Sequence, residues 1–280
     1  MSVGQSDPPA AEITAAEMLA ALDARRQIAP LTETYSGFDL DVAYVVAAAA
    51  RQLRVARGER PIGRKIGFTN RTIWEEYGVY APIWGDMYDS TVGTLDNDGS
   101  GTIDLAPFVE PCIEPEIAFG LARAPEADMD ETALLDCIDW VAPGFEIAQS
   151  LFPGWRFAAA DTVAAFGMHG AYRVGPKRSM KMGGTVDWLA ALSGFDIALD
   201  CNGAIVDRGR GANVLGGPLS ALRHLVGLLA GNPQSPPLAA GEIVTTGTLT
   251  RAFPVTDGEC WRTVTSGLPL DGIVLRMRGA

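Results

Sequence analysis

Two acidic residues stand one residue apart in an otherwise apolar segment, CIEPEIAFGL, which spans residues 112–121. Side chains of a β-strand alternate between faces, so Glu114 and Glu116 lie on one face while Ile113 and Ile117 lie on the other. Two carboxylates about 4 Å apart repel by roughly 4 kcal/mol at the effective dielectric constant of protein sites. The pair therefore requires a cation, a shared proton or open water, and a solvated strand face is the alternative.

A third acidic residue, Glu146, stands alone in a second apolar segment, VAPGFEIAQS, at residues 141–150. Three carboxylates with few lysines or arginines nearby in the sequence suit a hard cation such as Mg²⁺ or Mn²⁺. The chain has only two histidines, which disfavours a histidine-rich zinc or iron site. We therefore predict a divalent metal site formed by Glu114, Glu116 and Glu146, on the condition that the fold brings them together.

The first part of the chain has a helical pattern. Apolar residues at helical spacing predict a helix from Ile13 to Ile28, opened by a capping box of Thr14 and Glu17. A second, alanine-rich helix is predicted from Leu40 to Ala56. We assign residues 1–60 to an N-terminal helical segment.

From Pro61 onward, short β-branched runs broken by glycine and proline predict strands. Asn202-Gly203 between two such runs predicts a two-residue hairpin turn. Many strands, few helices and no alternating strand–helix order predict an α+β fold, with a mixed β-sheet roll over residues 61–280. No Gly-x-Gly-x-x-Gly follows a strand and no P-loop is present, which disfavours a nucleotide-binding fold. Further helices are predicted at Asp130–Asp139, Asp187–Leu192 and Pro218–Leu229.

The charge of the chain restricts its partners. The formal net charge is −12, so the surface repels nucleic-acid backbones and anionic lipid. The sequence shows no apolar run long enough for a membrane span and no signal-peptide layout. Four scattered cysteines without a C-x-x-C pair indicate buried free thiols in a reducing compartment. We expect a cytoplasmic protein that binds neither nucleic acid nor membrane.

Several segments, in this order, resemble the fumarylacetoacetate hydrolase superfamily, in its 2-keto-4-pentenoate hydratase and 4-oxalocrotonate decarboxylase branch. Each segment alone is a weak signal, but together they span nearly the whole chain. They are GRKIGFT (63–69), GVYAPIWG (78–85), IEPEIAFGL (113–121), PGFEIAQS (143–150), DTVAAFG (161–167), GRGANVLGGP (209–218) and GEIVTTGTLT (241–250).

The resemblance implies a mixed β-sheet roll like the C-terminal domain of fumarylacetoacetase, with a divalent metal held by the three glutamates named above. It implies that Lys65 lies beside a small 2-oxo acid substrate as a catalytic group. It also implies that Thr246 and Gly247 approach the substrate carboxylate through hydroxyl and backbone N–H donors. Relatives form homo-oligomers, so by analogy we expect self-association.

The chain departs from the hydratases of this branch at two polar positions. Ile83 replaces the usual Asp of a Pro-Asp-aromatic-Gly motif, and Ala165-Phe166 replaces a usual Asp-Asn pair. His169 follows the altered pair and is our candidate for activating water, because imidazole can act as acid or base near neutral pH. Arg156 and Arg210 are candidates for binding a substrate carboxylate through the planar guanidinium group. His224 is interpreted as structural.

The sequence leaves four functions open. The first is a hydratase of 2-hydroxy-2,4-dienoates in the degradation of aromatic-ring fragments. The second is a decarboxylase of 2-oxo-3-enedioates, which the apolar Ile83 favours. The third is an acylpyruvate C–C hydrolase, in which His169 would act as base. The fourth is a catalytically silent metal-binding subunit, which the loss of the two polar positions favours.

Overall fold

Helices lie mainly in the first 60 residues and in the connections between later strands. The computed structural model describes residues 6–180 and 186–279. Within these residues no helix is long and apolar enough to cross a membrane. Short 3₁₀ turns occur at Arg71–Ile73, Pro153–Trp155, Phe166–Met168 and Gly211–Asn213. The α-helices are α1 (Ala11–Asp23), α2 (Leu31–Thr34), α3 (Leu40–Ala56), α4 (Trp74–Tyr77), α5 (Glu131–Leu135), α6 (Ala159–Ala164), α7 (Trp188–Gly194) and α8 (Pro218–Ala230).

The helix predictions for α3, α7 and α8 are confirmed, whereas two others need correction. Helix α1 ends five residues before Ile28, because the chain turns at Arg25, whose φ is 51°. The predicted capping box is wrong, since the N-cap is Ala10 and Thr14 is buried within the helix. Helix α5 stops at Leu135 because Ile138 already pairs in a strand.

Two sheets form the rest of the fold. The larger has the order β2-β1-β11-β5-β6-β7-β3, with β12 beside β5 and β8 beside β6, and the smaller has the order β10-β9-β13-β14-β4. The strands are β1 (Pro61–Gly67), β2 (Ile83–Tyr88), β3 (Val92–Thr94), β4 (Ser100–Asp104), β5 (Cys112–Leu121), β6 (Ile138–Ala148), β7 (His169–Val174), β8 (Arg178–Ser179), β9 (Asp196–Cys201), β10 (Ala204–Arg210), β11 (Ile243–Thr245), β12 (Phe253–Pro254), β13 (Cys260–Ser266) and β14 (Val274–Arg278).

Both sheets mix parallel and antiparallel pairs, so the predicted α+β fold with a mixed sheet is confirmed. Strand β1 runs parallel to β11 and antiparallel to β2, and β4 runs parallel to β14. The predicted hairpin joins β9 to β10. Its turn residues Asn202 and Gly203 have φ of 54° and 89°, the left-handed pair that a type I′ turn requires.

The apolar residues of β5 are shared between separate parts of the core. Ile113 packs with Phe145 and Ile147 of β6, while Ile117 joins residues of α8. The N-terminal helices pack against α6 and the residues around it in another cluster, which includes Ile83 of β2. The change from helix to strand near residue 60 therefore does not separate two cores, and the division at that residue stays a prediction.

Candidate active site

Neighbouring strands of the larger sheet bring the predicted polar residues together. Lys65 lies on β1, Glu114 and Glu116 on β5, Glu146 on β6 and His169 at the start of β7. Strand β11 joins β1 to β5. In the β5–β6 ladder Glu114 is paired directly with Glu146, and directly paired residues share one face of a sheet. The alternation expected along β5 is therefore the feature that assembles the acidic cluster.

The three glutamates could hold one metal ion. One carboxylate oxygen from each lies within 4.8 Å of the others, and the ligand oxygens of an octahedral Mg²⁺ lie about 3.0 to 4.2 Å apart. Oε1 of Glu116 is buried and has no hydrogen-bond partner among the described residues, a costly state for a carboxylate oxygen. Three carboxylates and Lys65 leave two net negative charges if all are ionised, which a divalent cation would cancel. The donor set thus fits a hard divalent metal.

Lys65 is the cation of this cluster. Its Nζ lies 3.0 Å from Oε2 of Glu146, and its side chain is almost fully buried. Burial lowers the pKa of this ammonium group, but the charges of the three glutamates outweigh burial and raise the pKa above its ordinary value. Lys65 therefore carries a positive charge and can stabilise negative charge. A divalent cation would offset the charges of the glutamates and so make the proton of Lys65 easier to donate.

The three carboxyl groups differ in their affinity for protons. Burial raises the pKa of Glu114 to about 7, against the opposing effect of Lys65. Burial and the neighbouring charge of Glu146 raise the pKa of Glu116 well above its ordinary value. For Glu146, burial is outweighed by Lys65 and His169, which lower the pKa to about 2. Without a metal, the cluster holds its negative charge mainly on Glu146.

His169 lies behind Glu146. Its Nδ1 is 2.8 Å from Oε1 of Glu146, and its Nε2 is 2.9 Å from Oγ1 of Thr91. The histidine is 3% exposed and is not among the residues that line the cavity beside the glutamates. The structure brings His169 to the site, as predicted, but as a neighbour of a carboxylate. Its role in activating water stays a prediction.

The loop after β11 brings Gly247 to the acidic cluster. Gly247 has a φ of 88°, and a Cβ at this position would lie 1.9 Å from Oγ1 of Thr69, so only glycine fits here. Its N–H donates to Oε2 of Glu116 at 3.0 Å. The hydroxyl of Thr246 is buried and donates to the carbonyl of Ile117 at 3.0 Å. The donors predicted to bind substrate are thus already engaged within the protein.

The predicted arginines lie outside the cluster. Arg210 is at the end of β10 in the smaller sheet, where its exposed side chain pairs with Asp196 at 3.4 Å. Arg156 is exposed beside Trp155, and neither arginine lines the cavity. Their binding of a substrate carboxylate therefore stays a prediction without a contact that supports it.

A cavity beside Glu114 and Glu116 is lined by both polar and apolar residues. The cavity volume is about 40 Å³, and a single water molecule needs about 10–15 Å³. Lys65, Glu114, Glu116 and Thr248 line one part. Aromatic and aliphatic side chains line the other: Phe68, Ile83, Trp155, Phe157 and Met168. The lining residues thus form two sets, which we call the acidic end (Lys65, Glu114, Glu116 and Thr248) and the apolar end (Phe68, Ile83, Trp155, Phe157 and Met168).

Sequence reasoning missed most of this apolar end. Phe68, Trp155 and Met168 have φ of 52°, 57° and 62°, and non-glycine residues in this region of backbone space cluster at functional sites. Aromatic residues next to glycine, as in Ile66–Phe68 and Phe152–Phe157, were the only signal available. Such residues are more often simple core residues, so the signal is weak.

The two departures from the hydratases occupy different places. Ile83 is buried and lines the cavity. Its apolar side chain cannot form a hydrogen bond to a water molecule there. Phe166 is also buried but packs in the cluster of the N-terminal helices, 5.8 Å from the guanidinium of Arg54. Only the first departure changes the surface that a substrate would contact.

The chain is similar to enzymes of two reaction types. It is 31% identical to 2-keto-4-pentenoate hydratase 2 of Dechloromonas aromatica, over 92% of this chain and 95% of that protein. It is 29% identical to a 4-oxalocrotonate decarboxylase of a Pseudomonas species, over 73% of this chain and 75% of that protein. No model of a protein family matches the chain.

A solved structure agrees with these relatives. The 4-oxalocrotonate decarboxylase of Pseudomonas putida G7, complexed with magnesium and adipate, has a TM-score of 0.84 and 25% identity, and the match covers 95% of this chain and 97% of that one. Together, the matching segments, the mixed sheet and these relatives identify the family of the protein. The chain belongs to the fumarylacetoacetate hydrolase superfamily, in its 2-keto-4-pentenoate hydratase and 4-oxalocrotonate decarboxylase branch.

Proposed function

We propose that the protein is a Mg²⁺- or Mn²⁺-dependent hydratase of 2-hydroxy-2,4-dienoates with a single carboxylate, acting in the breakdown of aromatic-ring fragments. The observation that carries this proposal is the division of the cavity into an acidic end and an apolar end. The acidic end would hold the cation and, through it, the 2-oxo acid group. The apolar end would receive the rest of the substrate.

The acidic end supports chemistry at the 2-oxygen. When bound, the divalent ion supplies a Lewis acid for that oxygen and orients the substrate. Glu114, Glu116 and Glu146 would hold the ion, and the N–H of Gly247 donates to the Glu116 carboxylate and so restricts its rotation. Lys65 carries a proton within the cavity and would deliver it to carbon 5 of the dienol. The 2-hydroxyl group would lose its own proton to solvent as it becomes the 2-oxo group, and Lys65 would regain a proton from solvent. Water would then add to the resulting 2-oxo-3-enoate, with its oxygen bonding to carbon 4 and a proton to carbon 3.

The apolar end supports a substrate without a second carboxylate. Among the described residues that line the cavity, Lys65 is the only lysine or arginine, and Glu146 already pairs with it. A distal carboxylate against Phe68, Ile83 and Trp155 would be buried without a cation, which costs several kcal/mol. An alkyl or vinyl end would instead gain about 0.8 kcal/mol for each buried CH₂ group.

A decarboxylase of 2-oxo-3-enedioates is the second candidate, and Ile83 is the observation that favours it. Its buried side chain lines the cavity at the position where hydratases of this branch carry an acid. Loss of CO₂ needs no group that positions water, so an apolar residue is compatible with that reaction. Among the described residues, however, the apolar end provides no lysine or arginine for the second carboxylate.

Two assays distinguish these candidates. Purified protein with Mg²⁺ or Mn²⁺ is mixed with 2-hydroxypenta-2,4-dienoate, and the loss of dienoate absorbance and the formation of 4-hydroxy-2-oxopentanoate are followed. CO₂ release from 4-oxalocrotonate is measured in parallel, with a chelator and Glu146→Gln as controls. We expect metal-dependent hydration and little CO₂. Predominant CO₂ release would replace the hydratase with the decarboxylase, and no turnover of either substrate would overturn both.

A further inference from the structure

An irregularity in β7 turns His169 toward the acidic cluster. Tyr172 pairs with Glu146 and Ala171 with Ile147, but Ala148 pairs with His169, so Gly170 is an extra residue in β7. In a regular strand His169 would face away from Glu146, because side chains alternate, and a bulge re-aims the side chain beyond it. A Cβ on Gly170 would lie 2.6 Å from the carbonyl oxygen of Ile147. The glycine thus permits the bulge.

Thr91 holds the other side of the imidazole. Its Oγ1 lies 2.9 Å from Nε2 of His169 and accepts from the N–H of Tyr88 at 3.2 Å. The backbone of Thr91 is also fixed, since its N–H donates to the Tyr88 carbonyl and its own carbonyl accepts from the N–H of Tyr172. Nε2 is therefore held by a residue that is itself tied to two strands.

We propose that His169 is a positioning residue that fixes the carboxylate of Glu146 for the cation, and that Thr91 fixes His169. Oε1 of Glu146 faces Nδ1 of His169 at 2.8 Å, while Oε2 lies 3.0 Å from Nζ of Lys65. Partners on both oxygens set the rotation of the carboxylate before a metal binds. Groups that orient a metal ligand in this way typically change metal affinity by about 10–100-fold.

The geometry opposes a direct role of His169 in the reaction. Both ring nitrogens already have partners within hydrogen-bond distance, and the side chain does not line the cavity. A base that activates water must reach that water within about 3.2 Å, directly or through one further water. His169 would have to break its contact with Glu146 or with Thr91 to do so.

The test measures metal affinity by calorimetry with Mg²⁺ and Mn²⁺, separately from turnover. It compares His169→Ala, His169→Asn, Thr91→Val and Thr91→Ser with the parent protein. His169→Ala should weaken metal binding by about 10–100-fold, and His169→Asn should restore part of the loss through its amide N–H. Thr91→Val should weaken binding by about 2–10-fold, the equivalent of one hydrogen bond, and Thr91→Ser should not. His224→Asn, on the exposed side of α8, is the matched control.

The proposal rests on the proposed metal site, and the two fail in different ways. Absence of Mg²⁺ and Mn²⁺ binding by the parent protein would overturn the metal site itself. Normal metal affinity in folded His169→Ala and Thr91→Val would overturn only the positioning role. Turnover that recovers to within about threefold at saturating metal supports positioning, whereas a loss of 100-fold or more at saturating metal would assign His169 to the reaction. Circular dichroism of each variant verifies folding, and Thr91→Val tests the proposal if His169→Ala does not fold.

Discussion

The two ends of the cavity are built from different kinds of structure. The acidic end stands on the paired strands β1, β5 and β6, and its side chains are tied to one another by ion pairs and hydrogen bonds. The apolar end comes largely from loops and 3₁₀ turns, with Phe68 after β1 and Trp155 and Phe157 after β6. Loops accept sequence changes more readily than paired strands do.

From this difference we infer that the strand-held end serves the reaction and that the loop-built end serves the choice of substrate. Hydratases and a decarboxylase are both relatives of the chain at about the same identity, 31% and 29%. A strand-held acidic end could serve either reaction, because both require negative charge to be stabilised on an enolate oxygen. Under the proposed function, the loop-built end would then be the part that selects the substrate.

The largest effect is expected at the acidic end, from Glu146→Gln. The amide keeps the size of the side chain but removes the charge that faces Lys65 and His169. We expect metal affinity and kcat each to fall by about 1000-fold, since a metal supplies several kcal/mol of transition-state stabilisation. Calorimetry and steady-state kinetics measure the two effects. Glu17→Gln, on the exposed side of α1, should change neither, and full activity in Glu146→Gln would remove the acidic end from the mechanism.

Lys65→Met should separate metal binding from turnover. The methionine fills similar space without the positive charge, so Glu146 loses its ion pair and the cluster becomes more negative. We expect Mg²⁺ to bind as tightly as in the parent protein or more tightly, while kcat falls by about 100-fold or more, as for loss of a proton donor. Calorimetry with Mg²⁺ and kcat at saturating metal are the measurements. A weaker affinity with unchanged kcat at saturating metal would contradict the assignment of Lys65 to the reaction.

The contrast between the strand-held acidic end and the loop-built apolar end also explains which features the sequence could predict. The E-x-E spacing predicted that Glu114 and Glu116 share a face, because alternation is a local property of a strand. Their approach to Glu146 depends on the register of β5 against β6, which local spacing does not specify and which only the family resemblance suggested. The fold class was predictable from the many short β-branched runs, because these runs are also local features of the sequence.

The features of the site that the sequence could not specify depend on residues far apart in the chain. The position of His169 depends on the bulge at Gly170, and no short sequence motif predicts a bulge. The hydroxyl of Thr246 could not be known to bond within the protein, because its partner, Ile117, is 129 residues away. The sequence led to no prediction for Trp155 and Phe157, since their place at the cavity depends on a 3₁₀ turn and on backbone with positive φ.

At the apolar end, Trp155→Ala should change selectivity more than rate. The ring lines the cavity, so its loss removes apolar surface that a substrate tail would cover. The parent protein should prefer 2-hydroxyhexa-2,4-dienoate over the five-carbon dienoate by about fourfold in kcat/KM, the value of one buried CH₂ group. Trp155→Ala should lose this preference with little change in metal affinity. Tyr80→Ala, which removes an exposed ring outside the cavity, should keep it, and an unchanged preference in Trp155→Ala would place the tail elsewhere.

The smallest effect is a pH dependence of the metal-free protein. The pKa of Glu114 is raised by burial from 4.5 to about 7, so the folded state binds this proton more tightly than the unfolded state does. Stability contributed by that proton is lost as the pH rises from about 5 to about 8. The lowered pKa of Glu146, about 2, acts only below pH 4.5. The raised pKa of Glu116 reinforces the trend, whereas the lowered pKa of His169 opposes it below about pH 6.5.

Mg²⁺ should reverse the trend, because the ion replaces the proton on the carboxylates and binds more tightly as the pH rises. Thermal unfolding from about pH 5 to about pH 8 should show Tm falling by a few degrees without metal, about 2–4 °C for each kcal/mol in a chain of this size. The difference in Tm with and without Mg²⁺ should grow over the same range. A Glu114→Gln variant should lose part of the metal-free slope, because Glu116, whose pKa is also raised, still contributes to it. If the parent and this variant had equal slopes, the proton lost over this range would belong to another group, and the acidic end would need a different charge distribution.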